Sequence, residues 1–123
     1  MPSRESRDPG GQLPLSAGEF EVLIALADGE KHGYAILKEV ARRTGRKVRL
    51  GPATLYTIVR RFLADGLLAE SAERPDPALD DERRRYYRLT EFGRQVAAAE
   101  AQRMETALSM ARAKNLVRKP RPA

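Results

Sequence analysis

The sequence predicts a mostly α-helical domain with a small β-hairpin. Three observations carry that prediction. Four segments repeat apolar residues at helical spacing, each with a recognisable start or stop signal. Two short segments flank a proline-bearing break and read as paired strands. The chain has 123 residues, 41% of them hydrophobic, which is enough for one core and too apolar for global disorder.

Residues 1–12 are polar, with Pro, Gly and balanced charge, and read as a flexible arm. Ser16 followed by Glu19 forms a capping box for the first helix, with Leu15 and Phe20 at the staple positions. Phe20, Leu23, Ile24 and Ala27 then give one candidate buried face, ended by Asp28-Gly29. A second helix runs from about Gly33 to Arg43, with Leu37, Val40 and Ala41 inward and Thr44-Gly45 as its stop. Gly51-Pro52 opens a third, because Pro at the first helical position lacks an N–H that would be unsatisfied there anyway. Its inward residues are Leu55, Ile58, Val59, Phe62 and Leu63. Leu67 to Glu73 and Arg83 to Leu89 are the two strands, separated by an acidic, proline-bearing loop. Thr90 caps a last helix reaching about Asn115, and residues 117–123 read as a loose tail.

Three helices followed by a two-stranded ribbon describe a winged helix-turn-helix, expected over residues 13–89, with a C-terminal dimerisation helix over 90–116. A lone hairpin is marginal in water, so the ribbon must pack on the helices. The chain has no Cys and one His, which excludes disulfides, a thiolate nucleophile and thiolate metal sites. With no Gly-rich phosphate loop either, an enzyme is the weakest reading; no cofactor and no metal are expected. No apolar run approaches the ~20 residues of a membrane span, and the first residues do not resemble a signal peptide. A disulfide-free chain is compatible with the cytoplasm.

The net charge is +6. From Val40 to Ala64 there are seven basic residues (Arg42, Arg43, Arg46, Lys47, Arg49, Arg60, Arg61) and no acid. The remaining chain holds the other 16 basic residues against 17 acidic ones, so the positive excess lies in this window. A localised basic patch is the footprint of a polyanion binder, double-stranded DNA foremost.

HGYAILKEV (His32 to Val40), ATLYTIVRRFLADGLL (Ala53 to Leu68) and RRRYYRLTEFGR (Arg83 to Arg94) stand in an order and spacing that resemble the PadR family of transcriptional regulators. The likeness runs from about Leu15 to Leu116. The single C-terminal helix resembles the family's short members. The chain departs at Thr57, where the family often has Pro after the Tyr, and in the acidic run Asp80-Asp81-Glu82. The resemblance implies a homodimeric repressor of transcription, with some members answering to small aromatic or drug-like effectors.

A recognition helix presents short side chains at its N-terminal end to base edges. Ala53, Thr54, Tyr56 and Thr57 fit that role, and Gly51 and the helix N-terminus that Pro52 opens offer free N–H groups and a positive dipole to a phosphate. Tyr56 could instead pack on the second helix. Arg60 and Arg61 would hold backbone phosphate. Tyr34 could reach a phosphate or be partly buried. Arg83, Arg84 and Arg85 suit the backbone or minor groove, or a salt-bridged turn with the neighbouring acids. His32 reads as a helix-entry residue. Ala97, Ala101, Met104, Leu108 and Ala111 follow a heptad-like spacing, too thin to hold a dimer without help from the first helix and Phe20. Phe92, Val96, Met104 and Leu108 are candidate lining for an effector pocket. The rival reading is a winged-helix protein-interaction module that never touches DNA.

Overall fold

The computed structural model describes residues 7–71 and 85–118. The elements are α1 (Ala17–Leu26), β1 (Lys31–His32), α2 (Gly33–Arg43), α3 (Pro52–Ala64), β2 (Leu68–Glu70), β3 (Tyr86–Leu89) and α4 (Glu91–Ala113), preceded by a 3-10 turn at Pro9–Gln12. The strands form an antiparallel sheet in the order β1-β3-β2. The predicted hairpin is therefore joined by a third strand. Its two residues, Lys31 and His32, pair with Tyr87 and Tyr86 and tie the start of α2 to the wing. Among the described residues, Leu67, Ser71 and Arg85 fall outside the strands that the alternation assigned to them. Among the described residues, no helix is long and apolar enough to cross a membrane.

Local signals placed most helix ends. Ser16 and Glu19 make the full capping box on α1. Thr90 Oγ1 accepts from the Gly93 N–H and caps α4. The α2 stop uses left-handed backbone at Gly45 (φ 60°) and Arg46 (φ 65°), with the Arg46 N–H donating to the Ala41 carbonyl at 2.8 Å.

The core gathers Leu23 and Leu26 of α1, Ile36 and Val40 of α2, and Leu55, Val59 and Phe62 of α3. Leu67, Tyr87 and Val96 complete it, all essentially out of solvent. The face expected for α1 needs correction. Val22, Leu23, Ala25 and Leu26 are buried, whereas Phe20 and Ile24 are half-buried and Ala27 is exposed. The cause is compositional: α1 is apolar nearly all round, so its spacing does not select a face.

The arm expected over residues 1–12 is also revised in the part described. Asp8 caps the 3-10 turn, which packs on α4, and the Arg7 guanidinium lies 4.2 Å from the centre of the Phe92 ring. The chain then enters α1 through Leu15, whose N–H donates to Glu100 Oε2 of α4 at 2.7 Å. Glu100 is 1% exposed, and Arg103 is its ion-pair partner. Residues 1–6, 72–84 and 119–123 lie outside the described residues, and with them the wing loop and the tail.

One junction sets the relation of wing, α3 and α4. The chain leaves α3 through Gly66 (φ 80°), and Leu67 N–H returns to the Phe62 carbonyl at 2.8 Å. The Leu67 carbonyl then accepts the Thr90 N–H at 3.0 Å, while the Thr90 hydroxyl lies 2.6 Å from the Gly66 carbonyl and 2.9 Å from that of Leu67. Gly93 is pressed against this carbonyl so closely that a Cβ would collide with it. A Gly93→Ala variant must therefore shift α4 off the turn. We expect it to lose about 1–3 kcal/mol in urea unfolding, as overpacked sites do, although alanine raises helix propensity.

The Glu100 carboxyl is held below its ordinary pKa by the hydrogen bond from Arg103, against the opposing effect of burial, with the Leu15 N–H assisting. A carboxyl lowered in the folded state stabilises the fold above its ordinary pKa, and that contribution fades as pH falls through the folded value. Denaturation midpoints measured from pH 6 to pH 3 should fall less steeply for Glu100→Gln than for the parent chain.

Candidate nucleic-acid interface

The turn between α2 and α3, the exposed side of α3 and the edge of the wing form one surface. Gly51 ends the connector without a side-chain cap, and Pro52 begins α3. Gly51, Pro52, Ala53, Thr54 and Thr57 are all exposed, while Leu55, Ile58, Val59 and Phe62 fix the helix from below. This matches the face expected from the spacing. Thr57 Oγ1 donates to the Ala53 carbonyl at 3.0 Å.

Tyr56 serves the packing more than the face. It is half-buried, and its hydroxyl lies 3.1 Å from where a Cβ on Gly33 would stand. Gly33 is buried, so Tyr56 occupies space that any larger residue at the start of α2 would need. The alternative reading of Tyr56, packing on α2, is the one its position fits. Tyr56 also lines a 340 Å³ cleft between α3 and the wing with Val59, Arg60, Leu63, Glu70, Arg85 and Tyr87. Arg85 is 3.2 Å from Glu70 across the wing. Burial pushes the Tyr87 hydroxyl pKa up, keeping it neutral. Arg83 and Arg84 lie outside the described residues.

The acid-free window does not survive in three dimensions as a set of seven free cations. Arg61 pairs with Glu19 of α1 at 2.5 Å, so its guanidinium is drawn back across the first helix. Arg43 pairs with Glu21 at 2.5 Å and with Glu39. Burial alone would lower the Arg43 pKa, but these two carboxylates raise it. Both arginines join helices together. Of the seven, that leaves Arg42, Arg46, Lys47, Arg49 and Arg60, all exposed and without an ion pair to another described residue. The acids, Glu19 and Glu21 of α1 and Glu39 of α2, all lie outside the window along the chain.

Tyr34 is 64% exposed on the first turn of α2, which excludes its buried alternative. The Lys38 ammonium lies 5.4 Å from the centre of its ring. His32 caps α2 through Nδ1, which accepts the Ala35 N–H at 3.1 Å. The His32 ring also stacks parallel to Tyr34 and meets the Tyr86 ring edge-on at 5.4 Å. The His32 to Tyr86 pairing had no local signal, because it depends on β1 joining the wing. No group of His, Asp and Glu that could hold a metal occurs among the described residues.

On the second half of the last helix, residues 101–110 are all exposed. Of the predicted seam, Ala101, Met104 and Leu108 are exposed, whereas Ala97 and Ala111 are half-buried. Ala97 packs on the core of its own chain. Two of the four candidate effector-lining residues need correction: Val96 is fully buried, and Phe92 lies beneath Arg7.

A helix pair with an exposed second helix, backed by a three-stranded wing, defines a winged helix-turn-helix. The PadR-like transcriptional regulator family matches residues 22–99. A transcriptional regulator of Mycobacterium tuberculosis is 34% identical over 94 residues, covering 76% of this chain and 81% of that protein. An uncharacterized 37.1 kDa protein carried by a transposon of Streptomyces fradiae is 39% identical over 83 residues. That match covers 68% of this chain and only 21% of the larger protein. Among solved structures, a PadR family regulator from Clostridium difficile superposes with a TM-score of 0.64 at 19% identity, covering 79% of this chain and 96% of that one. The chain belongs to the PadR-like family of transcriptional regulators and is a regulator, not an enzyme.

His32 connects cap, stack and wing, and its cap can be tested alone. Replacing His32 with Ala should cost about 1 kcal/mol or more in urea unfolding. Asn at the same position, an equally good cap, should recover most of that loss.

Proposed function

We propose that the chain is a homodimeric, sequence-specific DNA-binding repressor acting in the cytoplasm. Residues 13–89 are its DNA-binding domain and 90–116 its dimer element. The observation that carries this reading is the exposed, uncharged face of α3 flanked by five cations without acidic partners among the described residues. A helix face with that flanking enters a major groove with its cations on the phosphates. Arg46, Lys47 and Arg49 of the connector and Arg60 of α3 supply the phosphate contacts. Tyr34 and the wing arginines approach the backbone on either side. The seam at Ala101, Met104 and Leu108, with Phe20 of α1, takes the second copy. Two linked domains gain affinity through effective concentration, and the half-sites would lie about one helical turn apart, ~34 Å. Release by a small aromatic effector, which family likeness implies, would have to use Met104 and Leu108, the two candidate lining residues left exposed.

The test is the salt dependence of binding to a duplex carrying the chain's own promoter, read by fluorescence anisotropy. The parent should show a steep slope, about 0.9 for each phosphate contact. Arg60→Ala should lower it by about one per protomer, and Arg49→Ala likewise. Arg43→Ala should instead lower the urea midpoint and leave the slope nearly unchanged. Slopes indifferent to Arg49 and Arg60, or a chain that passes through heparin at low salt, would overturn the reading in favour of a protein-interaction module.

A further inference from the structure

The reading face of α3 is built from methyl groups. Between Gly51 and Val59 the sequence has no Arg, Lys, Asn, Gln, Asp or Glu. The side chains that pair with guanine or adenine through two hydrogen bonds are therefore absent from the first two turns. Arg60 and Arg61 follow on the next turn. Arg60 lines the cleft with Glu70 and Arg85 of the wing, and Arg61 is drawn to Glu19. Between them the surface consists of Pro52, Ala53, Thr54 and Thr57, all exposed.

Thr57 is further restricted by its own helix. Its hydroxyl hydrogen is committed to the Ala53 carbonyl one turn back. The outward hydroxyl can then only accept, and the Cγ2 methyl is its main contact. Each base pair shows a distinct pattern in the major groove, and thymine alone among the four standard bases carries a 5-methyl group there.

We propose that α3 selects its operator by thymine 5-methyl groups, which pack against the methyls of Ala53, Thr54 and Thr57. The ligand class is a duplex whose half-sites present thymine where the first two turns of α3 lie, and Thr57 is a specificity-determining residue. This rests on the proposed placement of α3 in the major groove. Cytosine offers hydrogen at the 5-position, so this face discriminates against it by a missing contact. The outward lone pairs of Thr57 suit an amino donor on the neighbouring base, which makes adenine N6 or cytosine N4 compatible beside the thymine.

The full chain is first used to select duplexes from a randomised pool. The recovered site is then resynthesised with uracil in place of thymine, one position at a time, and with 5-methylcytosine in place of cytosine. Uracil differs from thymine only by the methyl. Affinity should fall about fourfold for each contacted methyl removed, as expected for burying one such group. Thr57→Ser, which keeps the hydroxyl but not the methyl, should lose the same factor on the thymine duplex and nothing further on the matching uracil duplex. Thr57→Val should retain the discrimination. Because Thr57 is exposed, the variants should unfold at nearly the parent's midpoint. A selected site whose affinity is untouched by uracil at every position overturns the methyl readout and leaves the DNA-binding reading standing. A pool from which no sequence is enriched overturns the major-groove placement itself, and this inference with it.

Discussion

The Leu67 carbonyl is the constraint on which the arrangement of the domain depends. It lies at the base of the wing and receives the Thr90 N–H, while the Thr90 hydroxyl is shared between the Gly66 carbonyl and this one. Thr90 in turn opens α4, and Gly93 permits α4 to approach the same carbonyl. On the other side, the Leu67 N–H closes the end of α3. The N–H and C=O of this one residue thus fix the exit of α3, the start of the ribbon and the direction of α4. A small movement at this point would be felt at both ends of the molecule, because packed elements shift as bodies and do not stretch.

A second constraint sets the angle between α2 and α3. The buried Gly33 leaves room for Tyr56, and β1 ties the entry of α2 to the wing. The helix pair is thereby held from three sides: by its core, by the tyrosine and by the sheet. The cations of the connector hang from this rigid frame on a turn defined by two left-handed residues, Gly45 and Arg46. Under the proposed function, such preorganisation matters because the surface would meet a fixed helical repeat.

What was legible in the sequence was local. Ser16 with Glu19, Gly51 with Pro52, and Thr90 announce helix starts through bonds made within a few residues, and each stands where those signals placed it. The inner face of α3 was equally clear, since its apolar residues keep one period. What escaped depended on partners distant in the chain. The two residues of β1 carry no strand signature and pair only because Tyr86 and Tyr87 arrive beside them. Glu19, Glu21 and Glu39 capture two arginines of a window that looks free of acids when read linearly. Arg7 finds Phe92 across 85 positions of chain, so a polar, glycine-bearing segment is seated where composition suggested only a loose lead. The same limit applies to α1, whose uniform apolarity conceals which side faces in.

The uncovered stretch of α4 has a consequence for how the molecule must be handled. From residue 101 to residue 110 every side chain is exposed, and a helical segment of that length gains little order from its own hydrogen bonds in water. On the proposed dimer, its regularity is lent by association. Mass action then governs it: the apparent melting temperature should climb with protein concentration, and dilution should loosen the distal turns before the winged domain yields.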